Sequence, residues 1–193
     1  GTYLFEMLLH GIKSGLIRWF PVDSAHILFL IYPAVGIILA TLFVKYIVRD
    51  NISEGVTRVL YAMSRRNSRI ARHNCWTSIV GGATTIGFGG SVGPEAPIVL
   101  TGAAIGSNIG RLARLNYKHT TLLLCCGAGA ALAAIFKAPI TGVVFVLEIL
   151  MLDITAGSVI PLLIASITAT TMAFMLRGFD PILAVTLAPA DAF

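Results

Sequence analysis

The residue with the clearest chemical potential in this sequence is Glu95, a carboxylate in an apolar setting. It is the only acidic residue from position 55 to position 147, and it follows the run Gly-Gly-Ser-Val-Gly-Pro at positions 89–94. Glycine and proline at this density do not fit inside one continuous helix, so we expect one helix to end near Gly89 and another to begin near Glu95. Pro97 then falls in the first turn of the new helix, where the missing N–H of proline costs little.

A helix that begins at Glu95 presents unpaired backbone N–H groups and a partial positive charge to whatever faces it. Both features attract anions, so this helix start is a candidate anion site of the kind formed by interrupted helices in transporters. The Glu95 carboxylate can occupy the site itself, and its protonation would release the site to a mobile anion. The competing interpretation is that Glu95 only caps a helix at a membrane surface.

The elements that must position this site have the composition of a membrane protein. The 193 residues are 56% hydrophobic and 12% charged, which is about half the charged fraction of an average soluble domain. This composition excludes a disordered chain, a nucleic-acid-binding module and an ordinary soluble enzyme. Three charge-free runs have close to the ~20 residues that cross a bilayer as a helix, namely residues 24–44, 119–136 and 154–176.

The remaining segments predict shorter or interrupted helices. Residues 1–19 are amphipathic, and residues 138–152 form a short apolar helix that Glu148 interrupts. We therefore expect seven or eight tilted or broken helices in one all-α integral membrane domain over residues 1–193. No segment has the alternating pattern of a membrane β-barrel. The chain begins inside an apolar pattern, which indicates a piece of a longer protein.

Basic residues outnumber acidic ones by 14 to 9, and five arginines fall within fifteen residues, at positions 58, 65, 66, 69 and 72. The positive-inside rule places this segment on the cytoplasmic side, and binding of a specific anionic lipid is the sharper alternative. Cysteines at positions 75, 125 and 126 lie in apolar stretches and predict buried free thiols. Glycines at positions 102, 106 and 110 predict close helix packing, within the chain or between subunits.

Two stretches resemble the ClC family of chloride channels and transporters. The first reads Ser-Val-Gly-Pro-Glu-Ala-Pro-Ile-Val at positions 91–99 and is similar to the family's anion-gate pattern G-x-E-x-P. The second, at positions 127–148, is similar to A-A-x-F-N-A-P-L-A-G-x-x-F-x-x-E. The sequence departs from the family at Pro94, where a basic residue is common, at Ala96, where Gly is common, and at Lys137, where Asn is usual. The resemblance extends over roughly residues 25 to 180.

The resemblance implies chloride transport with Glu95 as the gate. The other anion-site residues that it implies near the gate are Gly93, Pro94, Ala96, Pro97 and Ile98. A second helix start, Ser53-Glu54-Gly55, is the best match to the family's G-S-G-I-P anion segment. Glu54 falls at the position of the family's coordinating serine, and a shift of one residue would give that role to Ser53. The alternative is that Glu54 is an exposed acid near a helix start, favoured by the helix dipole.

One departure bears on the mode of transport. Many proton-coupled exchangers of the family carry a second acid directly after the position of Glu148, where this sequence has Ile149. This favours a voltage-gated-type chloride channel, with a proton-coupled chloride antiporter as the first alternative and a non-transporting membrane scaffold as the second. Glu148 itself is expected to have a structural role in the protein interior.

The resemblance also implies an inverted-repeat subunit, of which this chain is about the first half, and a homodimer. We expect a multi-pass protein of a prokaryotic inner or plasma membrane, with the lipid bilayer and chloride or a related anion as its partners. Anion movement needs no covalent chemistry, so no enzyme activity is expected. We expect no metal, no nucleic-acid partner and no cofactor besides the transported ion.

Overall fold

The computed structural model describes residues 7–8, 10–12, 28–43, 45–46, 55–65, 68–90, 92–150 and 155–177. All regular structure in these ranges is helical, which confirms the predicted all-α class. The helices are α1 (Leu28–Phe43), α2 (Gly55–Arg65), α3 (Thr77–Gly87), α4 (Glu95–Leu112), α5 (Tyr117–Phe136), α6 (Pro139–Glu148) and α7 (Ala156–Arg177), with a 3₁₀ turn at Arg72–Cys75 before α3.

Two helices in the described part of the chain, α5 and α7, are long and apolar enough to cross a membrane. They have 20 and 22 residues, which corresponds to about 30 Å and 33 Å of helix, close to the thickness of the bilayer hydrocarbon. The apolar helix α6 has only 10 residues and ends at Glu148. Two of the three predicted spanning runs, residues 119–136 and 154–176, thus correspond to helices of spanning length. The third run, residues 24–44, contains α1, which has 16 residues and falls short of that length.

The predicted break before Glu95 is confirmed as well. Helix α3 ends at Gly87 and α4 begins at Glu95. Gly89 has a φ of 83°, a left-handed conformation that glycine adopts without steric cost. The N–H groups of Gly89 and Gly90 donate to carbonyl groups in the last turn of α3, each at 2.9 Å. This hydrogen-bond pattern closes α3 and frees the chain to start a new helix.

Helices α4 and α5 pack so closely that their backbones touch. A Cβ on Gly102 would overlap the carbonyl oxygen of Gly127, and a Cβ on Gly127 would overlap the carbonyl oxygen of Gly102. Gly106 and Gly110 face α5 one and two turns further along. The prediction of close helix packing is confirmed, and the partner is a helix of the same chain.

Helices α6 and α7 complete the packing around α5. Gly142 in α6 meets the backbone of Gly129 in α5, and the side chain of Leu162 in α7 lies beside the same glycine. The core is made of buried side chains from the six helices α2 to α7, among them Ile98, Leu124, Val146 and Leu162. Helix α5 is therefore the central helix of this group and contacts α4, α6 and α7.

The turn between α5 and α6 contains Lys137, which stands where the family pattern has asparagine. Lys137 has a φ of 53°, and the following Ala138 donates its N–H to the Ala133 carbonyl at 3.1 Å. Glycine and asparagine tolerate this left-handed conformation better than lysine does, which is a physical reason for asparagine at this position. The Lys137 Nζ lies 5.6 Å from the centre of the Phe174 ring, a favourable cation–π distance.

All three cysteines are free thiols, as predicted. Cys125 and Cys126 are buried, whereas Cys75 is only half-buried. Burial nevertheless raises the pKa of the Cys75 thiol, and a hydrogen bond from Asn108 opposes that shift. Cys75 is therefore a protonated thiol at neutral pH.

The hydroxyl of Ser107 in α4 holds the connection between α2 and α3 against the bundle. It donates to the Ser68 carbonyl oxygen at 2.6 Å and accepts from the Ile70 N–H at 3.1 Å, all in a buried setting. Because Ser107→Ala leaves two buried backbone groups unpaired, we expect it to lower the free energy of unfolding by about 1–3 kcal/mol. Thermal unfolding of the purified protein in detergent measures the change.

Thr168→Ala is the matched control for this substitution. Thr168 is exposed, and its hydroxyl bonds only to carbonyl groups of α7 itself, at Ile164 and Ala165. Its loss should change stability by less than about 0.5 kcal/mol. If the two variants lowered the unfolding midpoint equally, the role assigned to Ser107 would be wrong.

Candidate functional site

The candidate site is the first turn of α4. Pro94 is the residue that precedes the helix, and neither Pro94 nor Pro97 has an N–H group. The Ile98 N–H donates to the Pro94 carbonyl at 3.3 Å. The first helical N–H groups, those of Glu95 and Ala96, have no carbonyl partner within the helix. The sequence thus leaves two adjacent donors at the helix start.

The Glu95 side chain folds back toward the residues that precede the helix. Its Oε2 lies so close to Gly93 that a Cβ on Gly93 would overlap it. Glu95 is exposed in the described part of the chain. Glycine at position 93 therefore leaves room for the carboxylate in front of the helix start, where the partial positive charge favours it.

A second helix start meets the first. Gly55, the first residue of α2, lies against the backbone of Ala96, and a Cβ on Gly55 would overlap the Ala96 carbonyl oxygen. The two residues are 41 positions apart in the sequence. Each helix start carries roughly half a positive charge, so the convergence of α2 and α4 concentrates positive potential next to Glu95.

The structure therefore brings four of the predicted site residues together, namely Gly55, Gly93, Glu95 and Ala96. Pro94 and Pro97 belong to the same turn and shape it. The Ile98 side chain is buried in the core, and its amide is engaged in the helix. The predicted residues Ser53 and Glu54 lie outside the described residues, so their roles remain predictions.

The end of α6 carries Glu148. Glu148 is exposed in the described part of the chain, so these residues alone do not enclose it, and its location in the interior of the whole protein stays a prediction. The helix is only 10 residues long, which places Glu148 at its last position rather than within the packed region near Gly142. Ile149 beside it is also 41% exposed. Within the described ranges, no group of three His, Cys, Asp or Glu residues is placed to hold a metal ion.

The contact between Gly55 and Ala96 was not accessible to sequence reasoning. The motif match at positions 53–55 gave a reason to group the two helix starts, but no periodic pattern links segments so far apart. The left-handed backbone at Lys137 was also missed, although a turn between two apolar helices, followed by Pro139, is a recognisable helix-stop signal.

Comparison with known proteins gives a consistent result. The family profile described as voltage gated chloride channel matches residues 36–192. A ClcB-like chloride channel protein of Ralstonia nicotianae is 29% identical over 160 residues, which cover 81% of this chain and 37% of that protein. The H⁺/Cl⁻ exchange transporter ClcA of Vibrio vulnificus is 31% identical over 159 residues, covering 77% of this chain and 33% of the transporter.

A solved structure shows the same fold. The crystal structure of a slow cyanobacterial Cl⁻/H⁺ antiporter superposes with a TM-score of 0.74 and 21% sequence identity, covering 97% of this chain and 46% of the antiporter. At this identity, the likeness is one of fold. This chain spans less than half the length of each of these proteins.

Proposed function

The chain belongs to the voltage-gated chloride channel (ClC) family, and from this membership we propose that it forms one side of a chloride pathway gated by Glu95. Proteins of this family are membrane ion transporters, and the relatives described above are named for ion transport rather than for an enzymatic reaction. The observation that carries the proposal is the convergence of the α2 and α4 helix starts at Glu95.

In this proposal, chloride binds where the Glu95 and Ala96 N–H groups and the two helix starts present positive charge. The Glu95 carboxylate, folded over Gly93, competes for the same positive charge. Protonation removes the charge of the carboxylate and with it the attraction to the helix start. The Glu95 side chain then leaves the helix start, and chloride binds there in its place.

The start of α2 would supply the rest of the site. The Ser53 hydroxyl can donate a hydrogen bond to a bound anion, whereas the Glu54 carboxylate repels an anion unless it is protonated or points away. We assign the coordinating role to one of these two residues, as the motif match implies. No cofactor or metal is needed, because binding and release require only dipoles and one proton.

Two modes of transport are compatible with a Glu95 gate. Ile149 cannot carry a proton, which favours passive chloride movement through a channel. The Vibrio and cyanobacterial proteins are named as exchangers, which favours proton-coupled exchange by a route other than position 149. Exchange is therefore the second candidate function, supported by the names of the relatives rather than by the site.

One experiment separates the two modes. The full-length protein is reconstituted in liposomes, and chloride efflux and proton movement are recorded together. Chloride efflux that drives protons uphill would establish exchange and require a bypass of Ile149. Chloride efflux without proton pumping would establish a channel, and the absence of any anion flux would overturn the proposal.

The proposed function also implies a membrane location and an oligomeric state for the protein. We place it as a multi-pass protein in a prokaryotic inner or plasma membrane, and α5 and α7 are the described helices that support spanning. A homodimer with one pathway in each subunit is the assembly that the family resemblance implies.

A further inference from the structure

The end of the bundle opposite Glu95 carries a cationic surface built from separate parts of the sequence. Six exposed side chains contribute to it, and we call them the basic face: Arg65, Arg69, Arg72, Arg111, Arg114 and Lys118. They come from the end of α2, the connection between α2 and α3, the end of α4 and the start of α5. The arginine cluster in the sequence accounts for only three of them.

Specific hydrogen bonds hold these parts together. The Tyr117 hydroxyl at the start of α5 donates to the Met63 carbonyl in the last turns of α2, at 3.0 Å. The Ser107 hydroxyl ties the residues next to Arg69 to α4. The Arg111 Nη2 donates to the Asn108 Oδ1 at 2.7 Å, which orients its guanidinium group. The segments that carry the basic face are therefore held together by hydrogen bonds and do not move as independent loops.

No acidic residue in the described ranges neutralises this surface. The described acids are Glu95 and Glu148. Glu95 lies sixteen residues before Arg111 on α4, which is about 24 Å along the helix. Glu148 ends the short helix α6, which packs on α5 near its far end. The uncompensated charge calls for an anionic partner from outside this part of the chain.

Exposed apolar side chains lie directly among these cations and decide what kind of partner fits. Leu112 is 80% exposed and follows Arg111 directly in the sequence. Tyr117 is 51% exposed and directly precedes Lys118. Trp76, also 51% exposed, follows the 3₁₀ turn that begins at Arg72. Aromatic and apolar groups beside Arg and Lys are typical of the bilayer interface, where chains meet headgroups.

Arg114 stands at the position that closes α4. Its φ is 52°, its N–H donates to the Arg111 carbonyl at 3.2 Å, and the next N–H, of Leu115, donates to the Gly110 carbonyl at 3.0 Å. Glycine is the usual residue at this place in such a helix end. Arg114→Gly therefore suits the local backbone while it removes one charge of the basic face.

From these observations we propose that the basic face binds the phosphate headgroups of anionic phospholipids in the adjacent leaflet. Arg111 and Arg114 contribute its charges at the end of α4. The proposal is independent of anion transport, because it concerns the opposite end of α4 from Glu95. A single Lys or Arg near an anionic membrane surface contributes roughly a five-fold change in association.

The test uses the full-length protein in detergent and two labelled probes, phosphatidylglycerol and phosphatidylcholine with identical acyl chains. We expect a preference for phosphatidylglycerol of at least about 30-fold, because two arginines alone contribute roughly that much. In Arg111→Gln/Arg114→Gln, its affinity should fall roughly 30-fold, while phosphatidylcholine binding stays unchanged. Circular dichroism and a monodisperse elution profile report whether the variant is folded, and Arg114→Gly gives a second variant that is expected to fold.

Two controls locate the effect. Arg111→Lys/Arg114→Lys retains the charges and should keep most of the preference. Lys137→Gln removes a charge about 28 Å from Lys118, at the other end of α5, and should leave the preference intact. If wild-type protein bound both lipids equally, or if the preference survived Arg111→Gln/Arg114→Gln, the proposal would be overturned.

Competitors identify the source of the anion. We expect neither inorganic phosphate nor a polyglutamate peptide to displace phosphatidylglycerol at equal concentration. Displacement by inorganic phosphate would replace the proposal with a site for a soluble anion. Displacement by the peptide would replace it with a docking surface for an acidic protein segment.

Discussion

Replacement of Glu95 by Gln is expected to raise chloride flux at neutral pH about two- to five-fold and to abolish its increase on acidification. The carboxylate competes with chloride for the helix start, and such an interaction is worth about 0.3–1 kcal/mol at an exposed position such as Glu95. Its removal therefore favours chloride by a factor of roughly two to five. Because glutamine cannot be charged, no proton is needed to release the site. Chloride efflux from liposomes, recorded from about pH 4 to about pH 8, measures both effects.

Glu148→Gln is the matched control for this prediction. Glu148 is the other described acid, is exposed, and ends α6 rather than starting a helix. Its replacement should preserve the increase of flux on acidification. A Glu95→Gln variant that kept this increase, together with a Glu148→Gln variant that lost it, would show that the gate has been assigned to the wrong residue.

The second large effect is expected from Gly102→Ala, which should destabilise the fold by about 2 kcal/mol or more. The added Cβ overlaps the Gly127 carbonyl oxygen, and a backbone atom in the central helix cannot move aside as a flexible side chain can. Helices α4 and α5 must therefore separate, which costs packing along their whole contact; insertion of even small groups into packed cores costs typically ~1–3 kcal/mol. Thermal unfolding and the yield of monodisperse protein report the loss.

Gly81→Ala provides a control of opposite sign. Gly81 is also helical, in α3, but a Cβ there meets no atom within 4 Å. Alanine has a higher helix propensity than glycine by up to ~1 kcal/mol, so this variant should equal or exceed the wild type in stability. If Gly102→Ala were as stable as Gly81→Ala, the close contact between α4 and α5 would be contradicted.

Local signals in the sequence were sufficient to predict where α5 and α7 lie and where the chain breaks before Glu95. The glycines and prolines from Gly87 to Pro97 predict the break before Glu95, because both residue types disfavour a continuous helix at their own positions and next to them. The charge-free runs predict α5 and α7, because about 20 apolar residues in a helix are needed to cross the hydrocarbon of a bilayer. The family motif indicates which carboxylate matters.

Other features of the site could not be read from local signals. The four-residue spacing of Gly102 and Gly106 predicts a close contact but leaves its partner open, since any helix with a small residue could fill it. The arginine cluster near Arg69 likewise predicts a charged loop, but Arg111 and Arg114 join it only because Ser107 holds the loop against α4.

The sequence by itself thus determined the all-α class, the break at Glu95, the spanning helices and the candidate gate, because each depends on neighbours along the chain. Only the tertiary structure decided that the starts of α2 and α4 meet, that the glycines of α4 pack against α5, and that Ser107 and Tyr117 join the segments that carry the basic face. The meeting of Gly55 and Ala96 joins residues 41 positions apart. Such a contact depends on how whole helices pack, and packing is a property of surfaces that the folded chain alone brings together.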